Sequence, residues 1–250
     1  MSEVKLYLGD CLEVMRTMPD KSVDAIITDL PYGTTQCTWD TVIPFAPMWE
    51  AVKRVLKLRG VFITTASQPF TSMLVMSNLT WFKYEWIWQK SRKTGFQMVK
   101  IRPMKEHENI VIFYEIQPAY NQILKKCKPV KSWRKNGKGG NLLNSVNTKP
   151  GRMQNFTDYN STIIEFDNES NIGTHPTQKP VALYEYLILT YTNPGDTVLD
   201  ICAGSGTTGV AAIKTGRNAI LIEKEPKYFA IMEKRIHDAQ QQPNLFEVNK

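Results

Sequence analysis

The 250-residue sequence has no Cys-x-x-Cys pair: its four cysteines, Cys11, Cys37, Cys127 and Cys202, are scattered singly. That spacing indicates neither a zinc knuckle nor a disulfide framework, so all four read as reduced and structural, and no metal site is expected. There is no uninterrupted run of 18 apolar residues, and the opening MSEVKLYLGD lacks the basic segment and apolar stretch of a signal peptide. A cytoplasmic protein with no membrane partner is the expectation. There is no internal repeat. What is present, 42% apolar and 22% charged residues, is the composition of a soluble globular chain and excludes a disordered or fibrous one.

The formal charge of +7 is unevenly placed. Residues 83–152 carry 16 Lys and Arg against 4 Asp and Glu, a balance of +12, while the rest of the chain holds 15 basic and 20 acidic residues, a balance of −5. Within the basic block, SRKTGFQMVKIRPMK (91–105) and KKCKPVKSWRKNGKGG (125–140) interleave cations with Phe96, Trp133, Gly and Asn. Such stretches suit a loop lying along a phosphate backbone, although a solvated basic loop would look the same.

Short apolar strands alternate with amphipathic helices on either side of this block, which predicts an α/β domain with a largely parallel sheet. Strands are predicted at 4–8, 23–28, 60–65, 84–88, 109–114, 197–201 and 218–222, seven in all. Helices are predicted at 11–17, 45–58, 69–79, 180–191, 207–215 and 226–238. From 116 to 173 the periodicity dissolves into polar loop material. Trp81, Trp86 and Trp88 are expected to pack in the core rather than stack on a base.

The sharpest motif is Val198-Leu199-Asp200-Ile201-Cys202-Ala203-Gly204-Ser205-Gly206-Thr207-Thr208-Gly209, a strand that ends in a glycine turn and opens a helix. Glycines there permit the tight turn and leave N–H groups facing a ligand. Glu223, 19 residues after Gly204, ends the next strand, where an acid can accept both hydroxyls of a ribose. Gly204–Gly209 also spells the dinucleotide-binding G-x-G-x-x-G, so NAD competes as the ligand. Asp200 favours S-adenosylmethionine instead, since a carboxylate at this turn repels a diphosphate and attracts an ammonium and a sulfonium. A turn that only closes strand onto helix would carry the same glycines.

A second constellation is Asp29-Leu30-Pro31-Tyr32-Gly33 after the apolar strand Ile26-Ile27-Thr28. Strand ends at the carboxyl edge of a parallel sheet are where ligands bind, and Pro31 restricts Leu30 to extended geometry. Methyl transfer to the exocyclic amine of a nucleobase needs such parts, because that nitrogen's lone pair is delocalised into the ring. A carboxylate and a backbone carbonyl accepting its two hydrogens favour a pyramidal nitrogen. An aromatic ring holds the base, flipped from the duplex, by stacking. Asp29, the Leu30 carbonyl and Tyr32 fit those roles, though an Asp-x-Pro-Tyr turn can also simply cap a strand.

These motifs resemble the amino DNA methyltransferases that modify adenine at N-6 or cytosine at N-4, whose catalytic motif is [DNS]-P-P-[YFW]; this chain has Leu30 at the first proline. Leu8-Gly9-Asp10-Cys11-Leu12 resembles a family element contacting the cofactor's adenine. His175-Pro176-Thr177-Gln178-Lys179-Pro180 resembles the H-x-T-x-K-P element beside the methionine end, and His107-Glu108 resembles a weaker feature. The order, catalytic turn, basic block, then glycine turn, is that of the circularly permuted β-class.

The resemblance implies a Rossmann-like, seven-stranded mixed sheet with helices on both faces, the S-adenosylmethionine-dependent methyltransferase fold, with a basic target-recognition insertion. Residues 1–115 would form the catalytic half, 116–173 the insertion (its basic loops starting near 91) and 174–250 the cofactor half. It implies catalysis by Asp29, Leu30, Pro31 and Tyr32. Cofactor binding is implied for Asp10, Cys11, Thr177, Lys179, Asp200, Ala203, Gly204, Ser205, Gly206, Thr207 and Glu223. The implied partner is double-stranded DNA, with a homodimer and a cognate restriction endonuclease as further associates. An acid at the first motif position leans toward adenine N-6 over cytosine N-4. A catalytically silent DNA-binding module is the alternative of another class.

Overall fold

The computed structural model describes residues 2–34, 40–123, 125–131, 153–157, 160–168 and 178–241. Cys37, Trp39, Trp133, His175, Pro176 and Thr177 lie outside the described residues, as does the side chain of Cys127. The chain divides into one unit of Met1–Asn121 with Thr162–Lys250 and a second of Gln122–Ser161.

The large unit begins with β1 (Val4–Leu8), α1 (Cys11–Thr17), β2 (Val23–Asp29), α2 (Phe45–Val55), β3 (Leu56–Ala66), α3 (Phe70–Ser77), β4 (Phe82–Thr94) and β5 (Lys105–Phe113). In the small unit, β6 (Lys125–Lys131) and β7 (Met153–Thr157) pair antiparallel as a two-stranded ribbon. The large unit resumes with β8 (Ile163–Phe166), α4 (Val181–Tyr191), β9 (Thr197–Asp200), α5 (Thr207–Thr215), β10 (Asn218–Glu223) and α6 (Pro226–Gln241).

The main sheet runs β1-β10-β9-β2-β3-β5-β4-β8. Its first five strands are parallel, and β5 lies antiparallel both to β3 and to β4, with which it forms a hairpin. Alternation along the strands fills two apolar layers. Ala25, Ile27, Ile110 and Ile112 face α4, α5 and α6. Ile26, Val111 and Phe113 face α1, α2 and α3. Trp86 and Trp88 are buried in the first layer and Trp81 in the second.

The sheet therefore has eight strands where seven are predicted. The extra one, β8, is a four-residue edge strand parallel to β4, too short and too embedded in polar sequence to show a period of two. The helix predicted to reach Leu58 stops at Val55. Leu56-Lys57-Leu58-Arg59 alternates apolar with charged residues, Leu56 pairs with Val23, and Lys57 Nζ meets Asp24 at 2.8 Å. The basic stretch at 91–105 is partly strand, since Ser91–Thr94 extend β4 and Thr94 pairs with Lys105.

Chain connectivity reverses at the centre of the sheet. From β9 the chain steps through α5 to β10 on one side, and from β2 through α2 to β3 on the other. The crevice at the carboxyl ends of β9 and β2 is thus a topological switch point, where open α/β sheets bind their ligands. Asp200 ends β9 and Asp29 ends β2 there.

Candidate active site

Strand pairing sets Asp29 beside Thr65 of β3. Oδ1 of Asp29 accepts hydrogen bonds from the Tyr32 hydroxyl (2.8 Å) and from the Thr65 hydroxyl, while Oδ2 accepts one from Lys179 Nζ at 2.6 Å. The Tyr32 ring stacks on Phe70 with centroids 5.2 Å apart and planes 28° apart, and Lys179 Nζ lies 5.9 Å from the Tyr32 ring centroid. Asp40 closes the turn by accepting the amides of Gly33 and Thr34, each at 2.9 Å. Burial, reinforced by Asp29 and Glu108, pushes the Tyr32 phenol well above the usual tyrosine range, so it remains a donor.

Lys179 belongs to a buried chain of alternating charge. Its Nζ is 3.5 Å from Glu108 Oε2, and Lys90 donates to Glu108 Oε1 while lying 5.0 Å from the centroid of the Trp88 ring. Burial alone would lower the Lys179 pKa, but Asp29 and Glu108 outweigh it and raise it. Burial would raise Glu108, yet Lys179 and Lys90 outweigh it and bring it below the usual carboxylate range. Both groups stay charged.

The glycine turn is built differently. Gly204 and Gly206 adopt positive φ, +53° and +83°, and a Cβ on Gly206 would come within 2.8 Å of Met232 Cγ. Oδ1 of Asp200 accepts the Cys202 amide at 3.0 Å, and Oδ2 accepts the Thr208 hydroxyl. Glu223 accepts the amides of Gly204 and Glu225, both at 2.7 Å. The amides of Ala203 and Gly206 donate to the Ile222 and Ala203 carbonyls at 2.9 and 2.8 Å. Sequence reasoning expects free N–H groups here; instead these four turn amides are consumed by protein acceptors. Burial pushes Asp200 up to about 6 and raises Glu223 as well.

Asp10 caps α1 by accepting the Leu12 amide at 2.9 Å, and its Oδ2 is 3.8 Å from Lys224 Nζ. Mutual influence of the neighbouring Cys11 and Cys202 thiols lowers Cys11 and raises Cys202. Ser205 is held by Arg235, which donates to both its carbonyl (2.7 Å) and its hydroxyl (2.8 Å). Thr207 donates to the Lys179 carbonyl at 3.4 Å.

One cavity of about 610 Å³ joins the two turns. Asp29, Leu30, Pro31, Tyr32 and Lys179 line one end; Asp10, Cys11, Asp200, Ala203, Gly204, Ser205, Thr207 and Glu223 line the other. Gly206 does not line the cavity, and Thr177 is outside the described residues. The structure sets Lys179, marked in sequence as a cofactor residue, directly on Asp29. Thr65 and Lys90 are missed by sequence reasoning, because nothing in a local motif announces a partner 36 residues away or a lysine joined to Glu108 across a hairpin.

The cavity suits an elongated cationic ligand. Four carboxylates, Asp10, Asp200, Glu223 and Glu225, line it around the glycine turn, with Lys224 among them. The four engaged turn amides are not free to meet a diphosphate, which argues against a dinucleotide.

Comparison with known proteins is concordant. The family model described as DNA methylase, N6_N4_Mtase, matches residues 23–234. The type II methyltransferase M.HinfI of Haemophilus influenzae is 29% identical over 96% of this chain and 70% of its own length. The DNA adenine methyltransferase YhdJ of Escherichia coli (strain K12) is 29% identical over 91% of this chain and 81% of its own. Among solved structures, the M1.HpyAVI–SAM complex superposes with a TM-score of 0.63 at 25% identity, covering 93% of this chain and 99% of the other. The cytosine-N4-specific PvuII DNA methyltransferase gives 0.70 at 21% identity, over 96% and 92%, a likeness of fold.

Proposed function

Since the chain belongs to the DNA methylase family of N6 and N4 amino methyltransferases, we propose that it is a site-specific enzyme transferring a methyl group from S-adenosylmethionine to the N-6 amine of adenine in double-stranded DNA. The observation that carries this reading is the single cavity joining the Asp29 turn to an acidic glycine turn at the switch point of the sheet. An aspartate at the first motif position, and a relative named as a DNA adenine methyltransferase, favour adenine over cytosine.

In this reading Glu223 accepts the ribose hydroxyls, Asp10 borders the adenine, and Asp200 supplies negative charge near the ammonium and sulfonium. S-adenosylmethionine, when bound, supplies an electrophilic methyl group. Asp29 and the Leu30 carbonyl accept the two hydrogens of the target amine and so free its lone pair, and Asp29 stabilises the positive charge that develops on nitrogen. Tyr32, backed by Phe70, stacks on the flipped base. The β4–β5 hairpin carries exposed Arg92, Lys93, Lys100 and Arg102 around exposed Phe96 and Ile101, and with the rest of the basic region to about residue 171 it holds and reads the DNA. A homodimer and a cognate restriction endonuclease belong to the same proposal.

The test is to incubate the protein with methyl-labelled S-adenosylmethionine and mixed-sequence duplex DNA, digest to nucleosides and identify the labelled one. Label in N-6-methyladenine is expected. Label in N-4-methylcytosine would replace the base but keep the chemistry, and label in neither would overturn the reading.

A further inference from the structure

Asp29 meets a substrate with donors already on both carboxylate oxygens. Its Oδ1 accepts two hydroxyls and its Oδ2 accepts the Lys179 ammonium at 2.6 Å. On the reading above, a target amine arriving at Oδ2 competes there with the Lys179 ammonium. Lys179 is the donor with somewhere to go. Glu108 Oε2 is buried, has no hydrogen-bond partner among the described residues, and stands 3.5 Å from the same ammonium.

We propose that Glu108 is a positioning residue of the methyl-transfer site, placed to take the Lys179 ammonium from Asp29 when the target amine arrives. A shift of about an ångström would exchange the two carboxylates, leaving Oδ2 of Asp29 open to the amine. The direction is also the one that transfer needs. An ammonium held against Asp29 opposes the positive charge growing on the amine nitrogen, the more so because the Lys179 side chain is buried. Moving it onto Glu108 restores to Asp29 the negative charge that stabilises the transition state.

The rest of the chain of charges fits this task. The side chains of Lys90, Glu108 and Lys179 are only 11%, 10% and 9% exposed. Burying three ions is costly, and apolar side chains of similar volume often pack as well or better, so stability alone does not account for them. Lys90 anchors Glu108 through Oε1, which keeps Oε2 turned to Lys179.

The inference rests on the proposed methyl transfer, and a double-mutant cycle tests it separately. Single-turnover methylation is measured for wild type, Glu108→Gln, Lys179→Met and the double variant, with S-adenosylmethionine affinity measured for each. Glu108→Gln should slow transfer about 10- to 100-fold, the worth of a hydrogen bond to a charged group, while cofactor affinity stays within about twofold. In the Lys179→Met background the same change should cost less than about twofold, because no ammonium remains to be moved. A purely structural Glu108 would cost the same in both backgrounds. Glu108→Asp, which keeps the charge, should restore part of the rate. If Glu108→Gln fails to fold, Lys90→Met with Glu108→Gln removes one charge of each sign and should show the same slowing. Equal losses with and without Lys179, or no loss at all, would overturn the exchange while leaving the methyl transfer standing. No methylated base from wild type would overturn both.

Discussion

The two ends of the cavity satisfy their carboxylates in opposite ways. At the glycine turn, Glu223 is held by two backbone amides and Asp200 by one, together with a buried threonine hydroxyl. At the other end, Asp29 is held entirely by side chains: Tyr32, Thr65 and Lys179. Backbone donors are fixed by the turn that carries them, whereas side-chain donors can change partner without unfolding anything. On the proposed reading, one end keeps its shape to bind the cofactor and the other exchanges a hydrogen bond to process the base.

That contrast can be broken first at the rigid end. Gly206→Val puts a branched side chain at φ +83° and within reach of Met232, which should cost about 1–3 kcal/mol of stability and weaken S-adenosylmethionine binding roughly a hundredfold by deforming the turn. Thermal melting and calorimetric titration check it; unchanged affinity would mean that the turn is not the cofactor site. At the exchangeable end, Thr65→Val removes one donor from Asp29 Oδ1 and should slow single-turnover methylation about tenfold, the worth of a hydrogen bond to a charged group. Cofactor affinity should remain near wild type, and a fall in it would blur the distinction.

The smallest effect expected is one of pH. Burial raises Asp200 from 3.8 to about 6, so in the unliganded protein its stabilising contribution is fully present below about pH 4 and is lost as pH rises through about 6. A cationic ligand prefers the ionised form. S-adenosylmethionine affinity should therefore fall several-fold as pH drops from 7 to 5.5, and Asp200→Asn should flatten that dependence. A flat profile in wild type would remove Asp200 from the cationic end of the site.

Legibility in the sequence follows the same contrast. The glycine turn and the Asp29 turn are contiguous, so their glycines, acids and flanking strands can be read from residues within a dozen positions. The parallel strands are read from their apolar runs. The donors of Asp29 could not be assigned in the same way, since Lys179 lies 150 residues from it and Thr65 36, and only strand order and register bring them together. The edge strand β8 escaped because four residues beside polar sequence carry too little periodicity. The helix predicted to run on to Leu58 ended early because Gly60 and the alternating residues before it favour pairing with β2.

The most direct test crosses the two ends in one experiment. Asp29→Ala and Glu223→Ala are compared with wild type for S-adenosylmethionine affinity and for the methylation rate at saturating cofactor. Asp29→Ala should bind cofactor within about twofold of wild type and lose roughly a thousandfold in rate, as expected when a group that stabilises developing charge is removed. Glu223→Ala should lose about tenfold or more in affinity, a charged hydrogen-bond acceptor being gone, yet keep most of its rate at saturation. If Asp29→Ala keeps its rate, or if both variants lose affinity and rate together, the two ends do not divide the work as described.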